Sequence, residues 1–155
     1  MKASPRSRKT KTHLISSALL LLALSTQLTV QAKTQNWDEL LKNGNTLLAQ
    51  GESERAAAFF ATKIKKYPNS GACHTALGRA YKRLGKLDPA KQEFKVSTEV
   101  EPDYADGFYE LGVLQESDKE WSDAANAFEK YLVLKPDNSQ RRTIEDRIRY
   151  CKGQQ

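Results

Sequence analysis

The sequence predicts an all-α fold: a solenoid of antiparallel helix hairpins, three repeats long, closed by a C-terminal capping helix. Three observations carry this. Gly44, Gly78 and Gly112 are 34 residues apart, and Ala56, Ala90 and Ala124, Phe60, Phe94 and Phe128, and Pro68, Pro102 and Pro136 keep the same interval. Four registers in phase, three times over, are the mark of a repeat protein whose unit is one supersecondary element. Within a unit the apolar spacing is helical: His74, Leu77, Gly78 and Tyr81 fall at i, i+3, i+4 and i+7 and share one face, as do Ala90, Phe94 and Ser97 further on. Turn residues punctuate each unit twice, once between its helices and once at its end.

Taken in order, Asn36 sits three residues before Glu39, as a helix N-cap and its reciprocal partner would. The first helix should run from Trp37 to Ala49 and stop at Gly51, which can take the left-handed conformation a helix end needs. Ser53 is then the expected cap of a second helix over 54–66, which Pro68 ends. Pro68-Asn69, Pro102-Asp103 and Pro136-Asp137 each pair a helix breaker with a candidate N-cap for the next helix. In the middle unit Gly85 closes the first helix, and Asp88-Pro89 is expected to open the second with proline at its first position. The third unit has Lys119 where the others have Gly51 and Gly85, so Ser117-Asp118 is expected to make that turn. After Pro136, residues 138–152 are helical in pattern. Ile144, Ile148 and Cys151 form an i, i+4, i+7 stripe with charged residues mainly elsewhere, the pattern of a capping helix with a solvated outer side, and Tyr131 is expected to pack beneath it.

This skeleton resembles the tetratricopeptide repeat, whose unit has this period and an early aromatic or leucine, then Leu-Gly, Tyr, Ala, Phe and a closing Pro. In Gly71–Tyr104 these are His74, Leu77-Gly78, Tyr81, Ala90, Phe94 and Pro102. The domains follow: a signal peptide over 1–32, a polar lead-in over 33–36, repeats over 37–70, 71–104 and 105–138, and a capping helix and tail over 139–155.

The formal charge of +6 invites a nucleic-acid reading. It fails on distribution. Lys2, Arg6, Arg8, Lys9 and Lys11 supply five positive charges with no acid before residue 33, so from Lys33 onward 25 − 5 = 20 bases face 19 acids. That N-terminal segment reads as a secretory signal: a basic stretch, an apolar run from Leu14 to Leu24, then Val30-Gln31-Ala32 as a small-x-small cleavage site. The run is shorter than the roughly 20 apolar residues of a spanning helix. Cleavage after Ala32 and export, most simply to a bacterial periplasm, is the expectation; an uncleaved membrane anchor or full secretion are the alternatives.

Catalytic motifs are absent from the sequence: no Walker loop, no H-E-x-x-H, no G-x-S-x-G, no C-x-x-C. His74, the one histidine after Ala32, stands at the packing position held by Leu40 and Phe108. No catalytic, metal or cofactor site is expected, and no enzyme. Cys73 and Cys151 lie two like helices apart along the stack; at about 8–10 Å per helix neighbour and about 1.5 Å of rise per residue they are expected more than about 20 Å apart, against a disulfide limit near 7 Å. Two free thiols are expected, Cys151 partly buried.

What the resemblance implies about function is a concave face formed by the first helix of each repeat. Its positions here are Asp38, Leu41, Asn45 and Leu48; Ala72, Thr75, Arg79 and Lys82, with Arg83 adjacent; and Asp106, Tyr109, Val113 and Glu116. The groove would be apolar-polar at its first end, basic in the middle and acidic with one aromatic at the last. Such a surface suits an extended or helical peptide of mixed charge. The alternative is that Arg79, Lys82 and Arg83 only offset the acids of residues 99–137, where eleven acids face three bases. Family members that hold chaperone C-terminal carboxylates use Lys and Asn, then Asn, then Lys and Arg, where this chain has Leu41 and Asn45, Ala76, and Asp106 and Glu110. That clamp is absent. The expected partner is a protein or peptide, with no nucleic acid and no membrane after cleavage; a structural subunit acting through self-association is the competing reading.

Overall fold

A computed structural model of the protein describes residues 39–154. The chain divides into a unit spanning Met1–Leu40, of which only residues 39 and 40 are described, and a compact unit spanning Leu41–Gln155. The expected signal peptide, lead-in and Asn36 cap, and Asp38, lie outside the described residues. The compact unit opens with α1 over residues 41–49. It continues with α2 (Ser53–Lys66), α3 (Gly71–Arg83), α4 (Leu87–Val100), α5 (Ala105–Ser117), α6 (Trp121–Leu134) and α7 (Arg141–Lys152). Among the described residues there is no strand.

From α2 onward each helix packs on its sequence neighbours, and α3 also meets α5, which is the arrangement of stacked hairpins. Small-on-large contact sets the closeness inside each hairpin. Phe60, Phe94 and Phe128 are all fully buried, and each ring lies against the glycine 16 residues before it: a Cβ on Gly78 would stand 2.5 Å from the Phe94 ring, one on Gly112 would stand 2.9 Å from Phe128, and Gly44 meets Phe60 in the same way. Ala56, Ala90 and Ala124 have no exposed surface at all. The three phenylalanines thus occupy equivalent surroundings, as a 34-residue period requires.

The turn inside each hairpin is one motif repeated. Gly51 (φ 80°), Gly85 (φ 71°) and Lys119 (φ 62°) all take the left-handed conformation. The next residue donates its N–H five residues back in every case: Glu52 to Leu47, Lys86 to Tyr81 and Glu120 to Gln115, at 2.9, 2.9 and 2.8 Å. This is a Schellman ending, which uses backbone N–H groups to satisfy the last carbonyls of a helix. It corrects three expectations. Lys119 makes its turn itself, in a conformation that costs a side-chain-bearing residue energy. Because the residue after the left-handed one becomes the N-cap, α2 is capped by Glu52 and begins at Ser53, and α4 is capped by Lys86 and begins at Leu87. Pro89 is therefore the third residue of α4, still inside the first turn where its missing N–H breaks no bond.

Between hairpins the prolines also act differently from expectation. Tyr67, Glu101 and Lys135 are non-helical C-caps with φ of −132°, −139° and −130°, and the proline that follows each disfavours helical geometry there. Ser70, Tyr104 and Asn138 then donate back to the carbonyls of those same three residues. Pro68-Asn69, Pro102-Asp103 and Pro136-Asp137 are thus the central pairs of β-turns, and the caps fall later, on Ser70, Tyr104 and Gln140. Only the Ser70 hydroxyl caps in the side-chain sense, accepting from the Cys73 N–H at 3.3 Å.

At the far end α7 lays Ile144, Ile148 and Cys151 onto Tyr131, Leu132 and Phe128. Tyr131 lies beneath it, and its hydroxyl accepts from Asn138 Nδ2 at 2.7 Å. Trp121, the first residue of α6, meets Tyr150 of α7 edge to face with centroids 5.7 Å apart. Both cysteines are free thiols; Cys151 is fully buried rather than partly so.

Candidate functional site: the first-helix face

The residues expected to line the concave face separate into three groups. Leu41, Leu48 and Ala72 are buried, and Thr75 is fully so: its hydroxyl pairs with Ser97 of α4 at 2.8 Å, which turns it into the seam between α3 and α4 instead of toward solvent. Ser97 also donates to the Gly71 carbonyl at 2.9 Å, while the Gly71 N–H donates to Glu101 at 2.8 Å. Asn45 and Arg83 are exposed. Arg79, Lys82, Asp106, Tyr109, Val113 and Glu116 are half-buried.

The half-buried charges are not arranged as separate basic and acidic patches. Arg79 of α3 reaches across to α5, its Nε donating to Glu110 Oε1 at 2.8 Å and its Nη2 to Asp106 Oδ2 at 3.0 Å. Lys82 donates to the other oxygen of Glu110. Two bases and two acids cancel at that point. Arg83 donates to the Leu48 carbonyl at the C-terminal end of α1, where a cation is favoured by the helix dipole. Glu116 of α5 accepts from Arg147 of α7, through Nε at 2.9 Å and through Nη2. The same guanidinium sits 4.4 Å from the Phe128 ring centroid, within cation–π range.

Glu110 is the centre of this lattice, being only 7 % exposed. Burial alone would raise its pKa; the hydrogen bonds from Lys82 and Arg79, with their charges, outweigh that and hold it below the usual carboxylate range. Arg79 is opposed by the same burial and held more firmly charged by Glu110 and then Asp106. A carboxylate so enclosed is stable only because both oxygens are occupied by charged donors. Beside the lattice Tyr109 packs against Tyr131 and Phe128, centroids 5.2 and 6.1 Å away, and Val113 joins the same cluster.

Two of these residues were not found as part of the face from sequence. Glu110 was considered only as a misfit to the carboxylate clamp, and Arg147 lies outside the repeat registers. A signal existed: Glu110 follows Arg79 by 31 residues and Arg147 follows Glu116 by 31, so opposite charges recur at the spacing that places successive first helices side by side. His74 is bound on both sides, Nδ1 at 2.7 Å from Glu93 Oε2 and Nε2 at 2.9 Å from the Pro68 carbonyl. Among the described residues no group of three or more His, Cys, Asp or Glu could hold a metal ion.

Helix hairpins stacked at a 34-residue period form an all-α solenoid of the tetratricopeptide-repeat kind, and residues 47–109 match the tetratricopeptide repeat family model. Over 148 residues, 90 % of this chain, the sequence is 29 % identical to the chloroplastic tetratricopeptide repeat domain-containing protein PYG7 of Arabidopsis thaliana. The chain spans about half (49 %) of that relative's length and 19 % of the length of Hsp70-Hsp90 organizing protein 1 of Glycine max, to which it is 26 % identical over 74 % of its own residues. Among solved structures, the first repeat domain of Spaghetti (RPAP3) bound to the HSP90 peptide SRMEEVD superposes with a TM-score of 0.66 at 20 % identity, over 77 % of this chain and 92 % of that one. The type III secretion chaperone SycD of Yersinia enterocolitica, in complex with a peptide of the translocator YopD, does so with a TM-score of 0.65 at 12 % identity, over 74 % and 91 %. At these identities the likeness is one of fold.

Proposed function

We propose that the protein is an exported, non-enzymatic protein–protein interaction module that holds a peptide or helix of a partner against the face formed by α1, α3 and α5, and that it serves as an adaptor or scaffold in a bacterial cell-envelope assembly. What carries the reading is the state of that face. Asn45 and Arg83 are open to solvent, and Tyr109 and Val113 are half-open beside charges already neutralised within the fold. Domains with this fold hold an HSP90 peptide in one solved complex and a translocator peptide in another, which supports peptide binding by such a stack. Asp106 and Glu110 take up Arg79, and Glu110 also takes up Lys82, so these two cations are already paired, which favours a partner bound along its length over one bound by its terminal carboxylate. Export rests on the basic, apolar and small-x-small layout of residues 1–32.

The test is selection of ligands from a random peptide library on the full chain, followed by affinity measurements on an Asn45→Arg/Arg83→Glu variant and an Arg55→Glu control on α2. The reading expects the face variant to lose about tenfold or more in affinity, about 1.4 kcal/mol, with the control unchanged. The competing reading, a structural subunit that self-associates, draws on Val133 and Tyr150, which are 72 % and 54 % exposed near the α6–α7 end. It would be favoured by unchanged peptide affinity together with a dimer in sedimentation that Val133→Glu dissociates.

A further inference from the structure

Acids on the first-helix face are matched, but two on the side formed by α4 and α6 are not. Between α4 and α6 lies a hollow of about 380 Å³ whose lining includes Asp88, Lys91, Lys95, Gln115, Glu120 and Asp123. Lys91 is committed there, with its Nζ 2.7 Å from both Asp118 Oδ2 and Glu120 Oε1. Asp88 and Asp123 have no ion-pair or hydrogen-bond partner among the described residues. Gln115 rises from α5 between the two helices and is 7 % exposed, and its amide oxygen is buried with no partner among the described residues. A buried carbonyl left without a donor is costly, and such an atom in a native fold calls for an explanation.

Gln115 and Asp123 also line a second hollow of about 200 Å³, whose other walls include Phe108, Leu111 and Ala127. The two together set an apolar trough beside Gln115, whose buried amide oxygen is unsatisfied, with the unpaired carboxylates of Asp88 and Asp123 in the same lining. The group that satisfies all of these carries an aliphatic stem and ends in a charged donor. We infer that this outer hollow is a second docking site, distinct from the first-helix face, which takes a lysine side chain of a partner polypeptide: the methylenes lie along Phe108, Leu111 and Ala127, and the ammonium donates to Gln115 and pairs with Asp123 and Asp88. Lysine fits better than arginine because one orphan oxygen and two separate carboxylates ask for a point charge with three freely directed donors, not for a planar fork.

The test is a titration of the full, isotopically labelled chain with Nα-acetyl-lysine methylamide, followed by amide NMR, with the norleucine and glutamate analogues as controls. The inference expects saturable shifts of the Gln115 side-chain amide and of α4 and α6 amides with the lysine probe only. Asp88→Asn/Asp123→Asn, at two exposed positions, weakens that binding about tenfold or more. Gln115→Leu abolishes it while melting no lower than wild type, since it removes the orphan oxygen. No shift with the lysine probe, equal shifts with norleucine, shifts with the glutamate analogue, or lysine binding indifferent to the Asp changes would each overturn it.

Discussion

Lys119 occupies a backbone conformation that its counterparts Gly51 and Gly85 adopt freely, and replacing it should stabilise the protein. Left-handed geometry costs a residue with a Cβ about 1–2 kcal/mol. Glycine returns part of that, about 0.4–1 kcal/mol, through the extra freedom it gives the unfolded chain. Lys119 is exposed and makes no ion pair among the described residues, so no contact is lost. Lys119→Gly is therefore expected to gain about 0.5–1 kcal/mol, which for a unit of this size raises the melting temperature by about 2–5 °C. The reciprocal change measures the same quantity with opposite sign. A Cβ on Gly85 would meet nothing within 4 Å, so Gly85→Ala should lose about 0.5–1 kcal/mol by conformation alone. Lys119→Ala keeps the strain, removes the charge and should fall within about 0.5 kcal/mol of wild type. Urea denaturation followed by circular dichroism, with m-values compared to exclude changes in the unfolded state, decides the matter. A Lys119→Gly protein no more stable than wild type, or a Lys119→Ala protein that gains as much, would refute the reasoning.

Other outcomes follow from the same geometry. Gly78→Ala puts a methyl against the buried Phe94 ring at 2.5 Å and should cost about 1–3 kcal/mol through overpacking, measured by the same denaturation, while Gly51→Ala, which clashes with nothing, costs less. Glu110 has its folded pKa depressed, so its contribution is present above the unfolded value near about 4.3 and is lost as pH falls through the folded value; Glu110→Gln should remove that acid limb from a plot of stability against pH, and a limb of unchanged slope would contradict the lattice. His74 has its folded pKa raised, first by the hydrogen bond to Glu93, against burial, and with help from Pro68. Its contribution is full below the unfolded value of about 6.5 and is lost as pH rises through the higher folded one, so His74→Gln should flatten the fall in stability above the unfolded value, measured by denaturation across pH. The Cys73 and Cys151 thiols are both pushed up in pKa by burial, so a thiol reagent should label neither in the native protein within the time that labels both in denaturant, with Cys151 on the terminal α7 reacting first as helix ends open locally.

The hairpins were legible in the sequence because burial at a fixed period leaves a fixed residue type behind: glycine where a phenylalanine ring presses on the backbone, alanine where two helices cross. The Ile144, Ile148 and Cys151 stripe gave α7 for the same reason. Less legible were features set by backbone geometry that several residues can satisfy. Lys119 looked like a missing turn because glycine is the cheaper occupant of its conformation, not the sole one. Ser53 and Asp88 looked like caps on chemistry, but the Schellman ending consumes the preceding N–H groups and moves each cap one or two residues earlier. On the candidate face, position within the repeat placed Arg79, Lys82, Asp106, Tyr109 and Glu116 on adjoining helices, yet not that Arg79 and Lys82 converge on Glu110, or that Thr75 turns inward to Ser97. The 31-residue interval between opposite charges marks which helices are bridged, but which groups converge depends on how far one helix is offset from the next.

The central claim, that a polypeptide lies against the first helices of the stack, is tested most directly by hydrogen exchange of the full chain with and without a saturating library-selected peptide. The account predicts added protection in α1, α3 and α5, with α2 and the outer side of α4 unchanged. Protection confined to α4 and α6, or none in any helix despite saturation, would contradict it.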